Sequence, residues 1–145
     1  MSEHSDVMSR DAWWAFEQRL SRFLSAMLDG ESVILSDERD DSRYVQFLFF
    51  GEGGIHAEVS ASASDDEVQR LGWLPPRLNR RGKPVSGIRN LAADMAADQT
   101  HRLPAMVVGV LRDVWQISDP DAVTAVKVTD LGGPSLADVR LPMRP

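Results

Sequence analysis

The sequence predicts an α+β domain: an antiparallel sheet with two long helices and one short helix. Three observations predict it. Apolar residues recur at spacings of three and four near both ends, from Trp13 to Leu28 and from Leu103 to Ile117, as on amphipathic helices. Between them, Tyr44–Phe50 and Ile55–Ser60 read as strands joined by Gly51-Glu52-Gly53-Gly54, whose glycines supply the positive φ of a tight hairpin. Finally, 145 residues with 43% hydrophobic and 26% charged side chains suit one domain with a real core.

Residues 1–8 are polar and read as a flexible N-terminus, residues 9–131 as a single domain, and residues 132–145 as a tail or edge strand. Ser9 suits an N-cap, with Asp11 where a carboxylate meets the positive end of a helix. Trp13, Phe16, Leu20, Phe23, Leu24, Met27 and Leu28 then form an apolar stripe that Gly30 ends. Trp14 lies about 100° around the helix from Trp13. It either packs on a neighbouring strand or faces a partner. Val33, Ile34 and Leu35 mark a short strand over Glu31–Ser36, and Asp37–Arg43 a turn.

Tyr44–Phe50 is the strongest strand. Tyr44, Gln46, Leu48 and Phe50 share one face and Val45, Phe47 and Phe49 the other, so both faces are expected to be covered. In the return strand, Ile55, Ala57 and Val59 point inward and His56, Glu58 and Ser60 toward water. Ser64-Asp65-Asp66-Glu67 is a capping box opening a short helix, with Val68 and Leu71 inward and Gly72 as its stop. Trp73-Leu74-Pro75-Pro76 leaves it extended, with Trp73 as a core plug. Residues 90–98 fit a helix or an edge strand.

Thr100–Ile117 reads as the second long helix, with Pro104 in its first turn. Leu103, Met106, Val107, Val110, Val114 and Ile117 form one stripe; Val108, Leu111 and Trp115 form a second, turned by about 100°. So wide an apolar arc calls for two surfaces, the sheet and either the first helix or a second subunit. Asp119-Pro120 ends the helix, and residues 122–129 alternate as a further strand.

Several chemistries are excluded or disfavoured. The chain has no cysteine, which removes disulfides, thiol catalysis and Cys-based zinc sites. A net charge of −6 disfavours nonspecific binding to nucleic acid or an anionic membrane. The N-terminus has no secretory pattern and no apolar run is long enough to span a bilayer, so a cytoplasmic location is expected. Asp37, Glu38, Asp40 and Asp41 lack the spacing and central glycine of a calcium loop and read as a solvated turn. The glycines at 51–54 lead into a strand, not a helix, and are no phosphate loop. His56 and Glu58 could be an acid–base pair or two metal ligands, but no third ligand or nucleophile stands near them in sequence. Arg77, Arg80, Arg81, Lys83 and Arg89 make a basic loop without interleaved aromatics, better read as solvated or partner-facing than as a nucleic-acid patch. No catalytic, cofactor or metal residue is assigned.

The aromatic helix at Trp13–Phe16, the strand YVQFLF, the turn into HAEVS, the exit LGWLPP and the helix VVGVLRDVWQI before Asp119-Pro120 carry a resemblance. Over roughly residues 10–120 the chain resembles type III secretion chaperones and their relatives, the YbjN-like and actinobacterial TY-Chap proteins. The resemblance implies a secretion-chaperone-like fold and a non-enzymatic protein that binds a polypeptide client, commonly as a homodimer, without cofactor. Candidate partner or dimer contacts are Trp14, Phe47, Phe49, Val108, Leu111 and Trp115. The alternative is a regulatory or scaffolding protein of the same fold whose partner is folded. A third reading is a small enzyme or nucleotide binder using His56, Glu58 and the acidic turn. It would require a concave pocket with perturbed titrating groups converging on it. Nucleic-acid binding through Arg77–Arg89 stands fourth.

Overall fold

The computed structural model describes residues 3–61, 64–85 and 89–128. In chain order these form α1 (Glu3–Ser25), β1 (Ser32–Asp37), β2 (Asp40–Phe49), β3 (Ile55–Val59), α2 (Asp65–Arg70), β4 (Leu91–Met95), α3 (Leu103–Val108) and β5 (Val123–Val128). The strands make one antiparallel sheet in the order β4-β3-β2-β1-β5. Residues 90–98, compatible with two readings in sequence, supply a strand because β3 offers Leu91–Met95 a full antiparallel partner. The expected edge strand within 132–145 lies outside the described residues.

Strand alternation decides which side is covered. Val33, Leu35, Val45, Phe47, Ala57, Val59, Leu91 and Ala93 point to one face and are buried there. The stripe of α1 meets them: Trp13, Phe16, Leu20, Leu24 and Met27 are buried, with Trp13 and Phe16 edge to face at 5.5 Å. α3 packs beside α1 on the same side. The buried apolar stripes of the two helices therefore pack on one face of the sheet. The expectation that both faces of β2 are covered is corrected, since Tyr44, Gln46 and Leu48 remain partly open.

α1 begins at Glu3, upstream of the Ser9 expected as its N-cap. No glycine or proline lies between residues 3 and 25, and extending a helix is cheaper than starting one. It ends at Ser25, which leaves Leu28 exposed in the following turn instead of in the stripe. There the Leu28 N–H donates to Glu31 Oε1 at 2.6 Å, and Glu31 is in turn ion-paired with Lys127 of β5. Burial alone would raise the Glu31 pKa; the Lys127 and Leu28 hydrogen bonds and the Lys127 charge outweigh it and hold the carboxyl below its usual range.

The second long helix is not uniform. After the α-helical turn of α3, Gly109–Val114 widens into a π-helix, in which the Trp115 N–H donates to the Val110 carbonyl at 2.9 Å. Gln116 then takes a φ of 55°, so the helix stops before Ile117. The wider turn brings both apolar stripes inward together: Val107, Val108, Val110, Leu111 and Trp115 are all buried. Gly109 makes room for this, because a Cβ there would sit 2.9 Å from Leu71.

Ser64 makes no side-chain cap to α2; its ψ of 22° departs from the extended geometry that aims a cap, so the expected capping box is not formed. The helix exit follows expectation. Gly72 has a φ of 110°, and Trp73 turns into the core, its Nε1–H directed at the Met106 carbonyl at 3.4 Å. Trp73→Ala should therefore lower stability by about 3–5 kcal/mol in urea unfolding. Gly54 is equally constrained: at φ 92°, an added Cβ would lie 2.0 Å from the Met95 carbonyl oxygen. Gly54→Ala should lower the melting temperature, while Gly82→Ala, with open space around it, should lower it far less.

Candidate functional site

The face of the sheet away from the helices is lined up by the antiparallel register. Asp94, His56, Leu48 and Ser32 form one cross-strand row. Ala92, Glu58, Gln46, Ile34 and Val126 form the next, and Tyr44, Ser36 and Thr124 a third. These side chains are half-buried or exposed. Aliphatic groups thus alternate with hydrogen-bonding ones across a surface that no described helix covers.

Its polar half is tied together. His56 Nδ1 lies 2.6 Å from Asp94 Oδ1, and its Nε2 lies 2.9 Å from Glu58 Oε2. Asn90 Nδ2 donates to Glu58 Oε1 at 3.2 Å and to the Tyr44 hydroxyl at 3.0 Å. Partial burial by itself pushes the His56 pKa down; the hydrogen bonds to Asp94 and Glu58, then their charges, reverse that and hold it above its ordinary value. With a carboxylate on each ring nitrogen the imidazolium is a cross-strand tie, not a base waiting for a proton. Ser60, expected on this wet face, is instead buried where β3 ends, its Oγ accepting from the Tyr44 N–H at 3.0 Å.

One end of the face is bordered by a structured arm. Leu74 exchanges both backbone hydrogen bonds with Ala92, at 2.8 and 2.9 Å, which closes the outer side of β4 at that point. The chain then folds back on itself: Val85 N–H donates to the Arg77 carbonyl at 2.8 Å and Asn79 N–H to the Lys83 carbonyl at 2.7 Å. Asn79 Oδ1 accepts from the Arg81 and Lys83 N–H groups, closing the tip. The sequence RLNRRGKPV, read as a plain loop, is therefore a small hairpin. Arg77 and Val85, with Pro75, face His56, Glu58 and Ala92 across an open cleft of about 320 Å³.

The residues singled out from sequence do not converge. Trp14 is 65% exposed, which removes the strand-packing reading and leaves it on the outer side of α1. It borders a shallow hollow with Arg10, Asp11, Glu17 and Arg112. Phe49 is partly buried against the core. Phe47, Val108, Leu111 and Trp115 are in the core itself, so the surface they were expected to offer a partner is consumed within the chain. The acidic turn is a hairpin: Asp37 accepts from Arg39 N–H at 2.9 Å, and Asp40 from Ser42 N–H at 3.1 Å and Ser42 Oγ at 2.5 Å. Among the described residues no cluster of His, Asp or Glu is arranged to hold a metal ion.

Among the described residues the helix-free sheet face is half-apolar, with a cleft at one end and the His56 cluster tied up in its own hydrogen bonds. Residues 6–129 match the family described as T3SS (YopN, CesT) and YbjN peptide-binding chaperone 3, TY-Chap3. The chain belongs to this family. No curated protein and no solved structure gave a significant match. As a TY-Chap3 member the protein is a peptide-binding chaperone and not an enzyme. No helix among its described residues is long and apolar enough to cross a membrane.

What sequence reasoning missed are Asn90, Asp94 and the Arg77–Val85 hairpin. The hairpin had a signal, an Asn and a Gly spaced to close a turn in RLNRRG. The His56 tie gives a testable pH dependence. The folded protein binds the His56 proton more tightly than the unfolded chain, whose value is near 6.5. The contribution is thus complete below that value and is lost as pH rises through the higher folded one. Urea unfolding between about pH 6 and 9 should show stability falling through this window. His56→Gln should flatten the fall.

Proposed function

We propose that the TY-Chap3 chain binds an extended segment of its client across the open sheet face, with the arm-bordered cleft as its deepest point. The observation that carries this reading is the helix-free face itself. Ile34, Leu48, Ala92 and Val126 stay partly exposed among hydrogen-bonding neighbours, while Val33, Leu35, Val45, Phe47, Val59 and Leu91 of the other face are buried. Partly wet apolar side chains in rows about a strand spacing apart match the alternate side chains of an extended peptide. Since Leu74 already takes both backbone groups of Ala92, the client lies over the face and does not extend β4 at that point.

The protein works in this reading as a cytoplasmic homodimer, paired through the outer side of α1 where Trp14 is exposed. An indole of this exposure beside Arg10, Glu17 and Arg112 suits the apolar anchor and charged rim of an interface.

Two surface variants separate the roles. Ile34→Glu combined with Leu48→Glu should weaken binding of a captured client segment by at least roughly tenfold, from lost apolar contact and added charge. Trp14→Ser should leave that affinity unchanged and shift light scattering from dimer to monomer. Client binding unaffected by the sheet-face pair, with unfolding behaviour intact, would overturn the proposed surface.

A further inference from the structure

The arm carries a charge pattern opposite to that of the molecule around it. Between residues 77 and 89 stand Arg77, Arg80, Arg81, Lys83 and Arg89 and no acidic residue, in a chain of net charge −6. All five side chains are exposed, and among the described residues none is drawn into an ion pair. Leu78 and Val85 are interleaved with them and Leu74 precedes them; the three are 52%, 63% and 65% exposed. This is not a loop solvated by default. Its backbone bonds, from Val85 to Arg77 and from Asn79 to Lys83, and the Asn79 side-chain turn fix the positions of charge and apolar groups before any partner arrives.

We infer that the basic arm selects the client's chemistry: the segment held in the cleft is an acidic one, with Asp or Glu alternating with aliphatic residues. The inference rests on the sheet-face reading above and specifies its ligand. Alternate side chains of an extended segment point the same way, so one set enters the cleft between Val85, Pro75 and Ala92. The other set points to the rim, where Arg77 stands on the cleft and Arg80, Arg81 and Lys83 continue along the hairpin. A segment carrying carboxylates there meets uncompensated cations, and bidentate pairing with arginine adds direction to the attraction. Glu58 on the cleft floor and Asp94 beside it share the single charge of His56, so the attraction comes from the cations of the rim and not from the floor. The acidic remainder of the surface repels the same segment elsewhere and steers it to the arm.

The test uses the full chain and three fluorescein-labelled peptides of about twelve residues, alternating Leu or Thr with Glu, Gln or Lys. Binding is followed by fluorescence anisotropy at low and high salt, with a labelled oligothymidylate in parallel. The Glu peptide should bind at least roughly tenfold tighter than the Lys peptide at low salt, and the gap should narrow as salt screens it. Arg77→Glu with Arg81→Glu should invert the preference while leaving the melting temperature unchanged, since both side chains are exposed. Val85→Ser should weaken all three peptides together. Equal binding of the three peptides, still abolished by Ile34→Glu with Leu48→Glu, would overturn the charge selection and leave the sheet-face reading standing. Failure of every peptide to bind would overturn both. Salt-sensitive binding of the oligothymidylate with no peptide preference would assign the arm to nucleic acid and overturn the proposal as well.

Discussion

The structure depends on a single imbalance, two amphipathic helices against a sheet that has two sides. Val45 and Phe47, near the middle of the central strand, are fully buried, and α1 and α3 must sit together above them to exclude water. Among the described residues nothing comparable covers the other side. The same choice that makes the core makes the open face, because period-two alternation sends Gln46 and Leu48 outward whenever Val45 and Phe47 go inward. Core and open face are thus two readings of one strand, with burial on one side fixing register on both.

Much of this was legible because local chemistry and long-range packing agree. The stripe from Trp13 to Met27, the glycine turn before Ile55, the strand alternation and the Trp73 plug are each written in neighbouring residues, and each is where the pattern puts it. The family resemblance, argued from the same pieces, covers nearly the same span as the family match at residues 6–129. What misled was the geometry of α3. A uniform helix with apolar residues at Val108, Leu111 and Trp115 has a second apolar flank and calls for either the first helix or a second subunit. Packing of α3 beside α1 and the π-turn from Gly109 bury that flank within the chain, and the signal of the π-turn is a backbone spacing that periodicity counting assumes fixed.

The candidate site was less legible for a related reason. His56 and Glu58 could be paired from the strand pattern, but Asp94 and Asn90 reach them only because β4 docks in register on β3, and residues 90–98 fitted two conformations until a partner strand chose one. The basic arm was visible as composition and invisible as structure. Its hairpin bonds set four of the five cations, Arg77, Arg80, Arg81 and Lys83, on one folded-back segment, which is the difference between a solvating loop and a surface that can discriminate. For a chaperone family this matters more than raw apolar area, since many unfolded chains offer aliphatic residues and few offer them at a set spacing from carboxylates.

The closure of β4 by Leu74 has a further consequence. A protein that works beside extended, partly apolar segments is under constant risk of being nucleated by them, because an unpaired strand margin copies any chain that lies along it. Here the short exit from α2, with prolines immediately following at 75 and 76, occupies that margin and cannot itself propagate, since a proline offers no N–H to the next strand. The turn that seats Trp73 in the core therefore also blocks strand addition at the point where Leu74 meets Ala92.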